Sequence, residues 1–218
     1  MDAARLAAAV LLVAFAYLSG SVPMGVIVAR LSGGPDPRTV GSGRTGGTNA
    51  LRALGRKWAA AVVTGDLLKG ALPVLLARAL TGGDAAVEVA AGLAAVTGAS
   101  HSIFLGFGGG RGVGTGVGTM LVIQPLAVIL ATPVFVGVIL VTRYVSLGSL
   151  LSSAATVLIV ALWWLAANGS VPVAYPIYAG LGAGLIWLAH ADNIDRLLHG
   201  KERKFDLGLL SRGRPGGT

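Results

Sequence analysis

The stretch GVGTGVGTMLVIQPLAVILATPVFVGVILVT, residues 112 to 142, carries no charged side chain over 31 positions. One untilted helix crossing the ~30 Å hydrocarbon core of a bilayer needs about 20 apolar residues, so this run is too long for one crossing and short for two full ones. Gln124-Pro125 stands at its middle, where proline removes a backbone donor and interrupts a helix. Two short helices joined by a turn on the outer side satisfy both constraints.

The rest of the chain repeats the pattern. Apolar stretches separate Arg5 from Arg30, Lys57 from Arg78 and Glu88 from Arg111, and another runs from 144 to 191. This last one divides at Ala-Asn-Gly-Ser-Val-Pro, 167 to 172, which is turn chemistry. Hydrophobic residues make up 54% of the 218 positions, charged residues only 12%, and the mean hydropathy is +0.78. That balance excludes an ordinary soluble domain. The first run, 6 to 29, exceeds a signal-peptide core and lacks a small-residue cleavage site, so it is expected to stay as a span. With 34 glycines and no cysteine, the chain favours close helix packing or backbone lining a ligand site, and excludes disulfides and thiolate metal sites. The expected fold is an all-α integral membrane protein of about seven short transmembrane helices. A single polytopic domain occupies 1–210, and 211–218 form a disordered cytoplasmic tail.

Orientation follows from Lys and Arg in short loops, which stay cytoplasmic. The segment after the first run carries Arg30, Arg38, Arg44, Arg52, Arg56 and Lys57, and the C-terminal segment carries Arg196, Lys201, Arg203, Lys204, Arg212 and Arg214. Both are expected inside, with the N-terminus and Arg5 outside, Arg78, Asp84 and Glu88 in an outer turn, and Arg111 and Arg143 on the cytoplasmic side. No nucleic-acid partner is expected.

Chemistry concentrates in a few polar segments. GPDPRTVGSGRTGGTNALRALGRK, 34 to 57, sets glycines, Ser42, Thr45, Thr48, Arg44 and Arg52 in one loop, a donor set suited to a phosphate. A helix from Asn49 to Gly55 would add its positive N-terminal dipole. The same loop also serves a simpler reading, a basic face on anionic lipid. GFGGGRGVGTGVG, 106 to 118, matches neither a Walker nor a Rossmann pattern. Its glycines either let backbone approach an anion beside Arg111 or let two helices touch. Asp66 and Lys69, three residues apart inside a span, are expected as a structural ion pair on one helical face, with a proton relay as the alternative. Ser146 and Ser149 in RYVSLGS lie one turn apart and either face a ligand or bond back to their helix. His190 and Asn193 share a face at the end of the last span, as catalyst or as polar end-groups.

Their order carries more than any one of them. GSVPMG (20 to 25), DPR followed by GSGRTGGTN and Arg52, GDLLKG (65 to 70), FGGGRGVGTGVG (107 to 118), RYVSLGS (143 to 149) and HADNIDRLLHGKERK (190 to 204) resemble, nearly end to end, the bacterial acyl-phosphate:glycerol-3-phosphate acyltransferase family, PlsY. The resemblance implies seven transmembrane helices in the bacterial plasma membrane and an active site facing the cytoplasm. It also implies transfer of a fatty acyl group from acyl phosphate to the 1-hydroxyl of glycerol 3-phosphate, giving lysophosphatidic acid for phospholipid synthesis. Acyl phosphate is already activated, so placing two phosphates and an acyl chain is most of the task, without metal or cofactor. The partners are those two substrates and membrane lipid, and the expected state is a monomer.

By resemblance, Ser42, His190 and Asn193 are the catalytic candidates. Arg38, Gly41, Gly43, Thr48, Asn49, Arg52, Gly109, Gly110, Arg111, Gly112, Ser146 and Ser149 are the phosphate- and substrate-binding ones. The family usually reads GSGN-x-GATN where this chain has Arg44 and Gly47, and Gly-His where it has Gly98-Ala99. Arg111 stands at a Lys/Arg position, and a guanidinium fork is not equivalent to an ammonium. Transport, or a non-catalytic or divergent role, is the competing class, but no inverted repeat of the kind many transporters carry is visible.

Overall fold

The computed structural model describes residues 3–210, all helical or irregular, so the expected tail at 211–218 lies outside the described residues. Helix α1 (Ala3–Ser21) stops before Val22-Pro23, and α2 (Met24–Ser32) starts immediately after. The expected single span 6–29 is therefore two helices. Val22 precedes a proline, whose ring disfavours helical backbone at the residue before it. Gly33, left-handed at φ 63°, closes α2.

The basic loop holds α3 (Gly47–Leu54), two residues earlier than the expected Asn49 start. Helix α4 (Arg56–Thr81) follows and ends at left-handed Gly82. In α5 (Ala85–Ser100) the Asp84 carboxylate accepts from the backbone N–H groups of Ala86 and Val87. That N-cap fixes the start of the helix. The 112–142 run divides as expected into α6 (Val113–Ile123) and α7 (Pro125–Thr142), with Pro125 at the first helical position, where its missing N–H costs nothing. The 144–191 run gives α8 (Val145–Ala166) and α9 (Ala174–Ala189), and a short amphipathic α10 (Ala191–Leu198) ends the bundle.

Among the described residues five helices are long and apolar enough to cross a membrane: Ala3–Ser21, Arg56–Thr81, Ala85–Leu105, Pro125–Thr142 and Val145–Ala166. The other two apolar helices, α6 with 11 residues and α9 with 16, are shorter. At 1.5 Å per residue they reach roughly 16 and 24 Å.

Glycine sets the packing. A Cβ at Gly118 would overlap the Leu67 carbonyl, and one at Gly70 the Thr115 carbonyl, so α4 and α6 meet backbone to backbone. Helices α1 and α5 do the same through Gly20 against Ala95 and Gly98 against Tyr17. Lipid-exposed helices gain no hydrophobic drive to associate, so small residues that permit such contact supply the attraction. At the other end of α4, Arg78 pairs with the fully buried Glu88 at 2.7 Å, and the Tyr175 hydroxyl donates to the same carboxylate. This joins α4, α5 and α9.

Candidate active site

A cavity of about 310 Å³ opens where the first turns of α3, α6 and α8 meet the end of α9. The loop residues before α3 supply one wall. Ser42 Oγ accepts hydrogen bonds from Asn49 Nδ2 and from Arg111 Nη1, each at 3.1 Å. Both lone pairs are then engaged, and the hydroxyl proton remains to donate. Asn49 also donates to the Arg44 carbonyl at 2.9 Å, and its Oδ1 accepts from Arg52 Nη1 at 3.0 Å. This arrangement requires Gly41, left-handed at φ 58°, because a Cβ there would run into Asn49 Oδ1 and Arg52 Nη1.

The opposite wall is built from the chain's last elements. Arg111 Nη2 pairs with Asp192 at 3.1 Å, and Asp192 is shared with Arg196 at 3.0 Å. Arg196 Nε reaches Glu202 at 2.9 Å, and the other Glu202 oxygen accepts from Asn193 Nδ2 at 2.8 Å and Ser146 Oγ at 3.1 Å. One unbroken chain of polar contacts thus runs from Arg52 through Ser42 and Arg111 to Ser146. Two buried atoms in it have no protein partner, Arg111 Nε and Asn193 Oδ1: a charged donor and an acceptor. Buried polar atoms left unpaired are rare and point to an occupant.

Electrostatics favour an anion. The first-turn residues Gly47 and Thr48 of α3, Val113 to Thr115 of α6, and Val145 and Ser146 of α8 all line the cavity, and none of these three helices has a side-chain N-cap. Free amides and the positive ends of three helix dipoles converge on one space. Burial lowers the proton affinity of Arg52, and Arg203 adds to the effect. Burial lowers that of Arg111 too; Asp192 opposes the shift and Arg44 reinforces it. Both remain cations, since an arginine in a protein does not deprotonate.

His190 is buried, and its Nδ1 lies 2.8 Å from the Ile186 carbonyl. A carbonyl only accepts, so Nδ1 carries the proton and Nε2 presents a lone pair. Burial pulls the imidazole down to about 4.

Most of the expected site residues come together here. Ser42, Thr48, Asn49, Arg52, Gly110, Arg111, Gly112, Ser146, Ser149, His190 and Asn193 all border the cavity. Gly41, Gly43 and Gly109 stand one step behind it: Gly43 is left-handed at φ 70°, and Gly109 packs on the Ala99 and Ser100 carbonyls. Arg38 is not brought in; it pairs with Asp36 at 2.7 Å on the exposed loop. Asp66 and Lys69 form the expected ion pair at 2.8 Å, Lys69 also donates to the Val22 carbonyl, and both border the cavity. Ser149 does bond back to its helix, at Val145. Sequence reading missed Asp192, Arg196, Glu202 and Arg203. For Asp192 and Arg196 the i, i+4 spacing was a usable signal; for Glu202 and Arg203 there was none.

Beside this cavity lies a second of about 330 Å³ lined mostly by apolar side chains, among them Leu67, Val117, Met120, Val128 and Ile186. Val63, Val113, Gly114, Phe135 and Ser149 border both spaces. A polar, cationic chamber adjoining an apolar one inside a helical membrane bundle defines a protein that handles an anionic amphiphile.

Comparison with known proteins gives the family. A glycerol-3-phosphate acyltransferase family model matches residues 10–200, and this chain belongs to that family. Relatives named glycerol-3-phosphate acyltransferase include that of Geobacter sulfurreducens, 43% identical over 198 residues covering 89% of this chain and 96% of the relative. That of Myxococcus xanthus is 44% identical over 89% of this chain and 98% of its own. The crystal structure of PlsY, an integral membrane glycerol 3-phosphate acyltransferase, in its glycerol 3-phosphate form superposes with a TM-score of 0.83. It is 39% identical, and the alignment covers 94% of this chain and all of that one. The lysophosphatidic acid form of PlsY gives the same TM-score at 38% identity.

Proposed function

We propose that this protein transfers a fatty acyl group from acyl phosphate to the 1-hydroxyl of glycerol 3-phosphate, forming lysophosphatidic acid and inorganic phosphate in phospholipid synthesis. The observation that carries this reading is the junction of the two cavities. Three uncapped helix starts with Arg52 and Arg111 suit phosphate, and the apolar space reached past Phe135 and Val63 suits an acyl chain.

The hydroxyl oxygen attacks the acyl carbon and the bond to the phosphate oxygen breaks. Ser42 donates its hydroxyl proton in a hydrogen bond to the phosphate or the developing oxyanion, and Arg111 and Arg52 neutralise the phosphates. His190 Nε2 accepts from the attacking hydroxyl and Asn193 Oδ1 from the neighbouring hydroxyl of glycerol 3-phosphate, which orients the acceptor. An imidazole with a pKa of about 4 is too weak a base to take the proton itself. That proton passes instead to an oxygen of the leaving phosphate.

All seven apolar helices cross, with the N-terminus outside, the C-terminus cytoplasmic and the site facing the cytoplasm. In this arrangement the basic segments around α2, α3 and α10 lie inside. The protein acts as a monomer in the bacterial plasma membrane, without metal or cofactor.

The test is product formation from palmitoyl phosphate and labelled glycerol 3-phosphate by the solubilised protein, with acyl-CoA and acyl carrier protein thioesters as alternative donors. Lysophosphatidic acid from acyl phosphate alone, lost in Arg111→Ala and Ser42→Ala, is the expected outcome. Transfer from the thioesters, or undiminished rates in both variants, would refute the scheme.

A further inference from the structure

Arg44 has a place in the cavity that the reaction above leaves unused. It borders the polar space, half-buried, and its backbone is fixed by the bond from Asn49 Nδ2 to its carbonyl. Its guanidinium has no carboxylate within ion-pair distance among the described residues. Among the other cations bordering this space, Lys69 has Asp66 and Arg111 has Asp192, while Arg52 donates to the Asn49 amide oxygen and, like Arg203, has no ion pair among the described residues. The positive charge of Arg44 acts instead on Arg111, across the same space.

Two cations bordering one cavity repel each other, and an anion bound between them relieves that repulsion. Arg111 Nε is buried without a hydrogen-bond partner. Tetrahedral phosphate dianions are the ligands such paired forks match, through charge-assisted and bidentate hydrogen bonds.

The geometry points to Arg44 as a phosphate-binding residue that forms a two-guanidinium subsite with Arg111. The subsite holds the phosphate of one substrate in the ground state as tightly as in the transition state, so its contribution falls on KM more than on kcat. The phosphate is that of the acyl donor or that of the glycerol acceptor, which offer the same group. This assignment rests on the acyl-transfer reading for its kinetic arm only.

The experiment uses the protein in detergent micelles, with Arg44→Gln and Arg44→Lys, and inorganic phosphate, the second product of the reaction, as an inhibition probe. Loss of one charge-assisted contact predicts an inhibition constant for inorganic phosphate raised about tenfold in Arg44→Gln, with a smaller rise in Arg44→Lys. KM rises alongside for palmitoyl phosphate if the subsite serves the donor, or for glycerol 3-phosphate if it serves the acceptor. A phosphate constant and both KM values within about twofold of the unaltered protein, or lower than it, would overturn the assignment. If the unaltered protein forms no product, the acyl-transfer reading fails. Calorimetric titration with inorganic phosphate then still decides the subsite, by whether Arg44→Gln weakens binding.

Discussion

Removing Glu202 tests whether the C-terminal segment builds the site or merely lies against it. The Glu202 carboxylate has 7% side-chain exposure and accepts from Asn193, Ser146 and Arg196. In Glu202→Ala three hydrogen bonds to a carboxylate are lost, all charge-assisted and each contributing about 1.5 kcal/mol at the low end of their range, for a total of about 4.5 kcal/mol. Arg196 retains Asp192, so the penalty stays below that of a fully orphaned buried cation. For a chain of this size each kcal/mol moves the unfolding midpoint by about 2–4 °C, which gives a fall on the order of 10 °C. Glu202→Gln keeps an acceptor for Asn193 and Ser146 but turns an amide donor toward Arg196, so its fall is about half as large. The midpoint is measured by intrinsic fluorescence of the solubilised protein, with acyl transfer assayed well below it. Released Asn193 and Ser146 predict lost activity in the alanine variant even where it is folded. A midpoint in Glu202→Ala within about 2 °C of the unaltered protein would show that the network does not hold the segment in place.

Other positions give independent checks. Gly118→Val sets a side chain into the Leu67 carbonyl, and the separation of α4 and α6 it forces costs about 1–3 kcal/mol or more, seen as reduced yield of monodisperse protein. Phe135 borders both cavities, so Phe135→Trp should raise KM for palmitoyl phosphate while leaving KM for glycerol 3-phosphate little changed; the reverse pattern would remove Phe135 from the acyl path. His190 should titrate near 4 by NMR of its ring, and a midpoint near 6.5 would contradict its burial. The sign follows: between about 4 and 6.5 the unfolded chain binds the proton that the folded chain refuses. The stability tied to His190 is therefore complete above pH 6.5 and declines as pH falls through that window.

Much of this architecture was legible because lipid permits few solutions. Runs without charge had to be helices, Gln124-Pro125 and residues 167–172 had to break them, and both breaks are where the structure has them. The first run misled because hydropathy is blind to Val22-Pro23, a local steric effect inside an apolar stretch. In the site, Ser42, Asn49, Arg52, Arg111, His190 and Asn193 were picked out by their place in the ordered motifs of the resemblance, and only Asp66 and Lys69 stood out as charges inside a span, where charge is costly. Glu202 did not, being one charge among several in a basic tail. Only the fold turns that tail under α10 and brings Phe205 to the Arg143 carbonyl, carrying its neighbours to the cavity. Of the two readings of the glycine-dense segment, close helix packing is what Gly118 does against α4, while Gly110 and Gly112 border the cavity.

The backbone contact between α4 and α6 also limits how the site can adapt. Side chains adjust to a ligand by changing rotamer, within nanoseconds when they are free. Where Gly118 meets Leu67 and Gly70 meets Thr115 there is no rotamer to change. The amides at the start of α6 are therefore positioned when the helices assemble, before any substrate arrives, and a substrate that fits poorly finds a wall that does not yield.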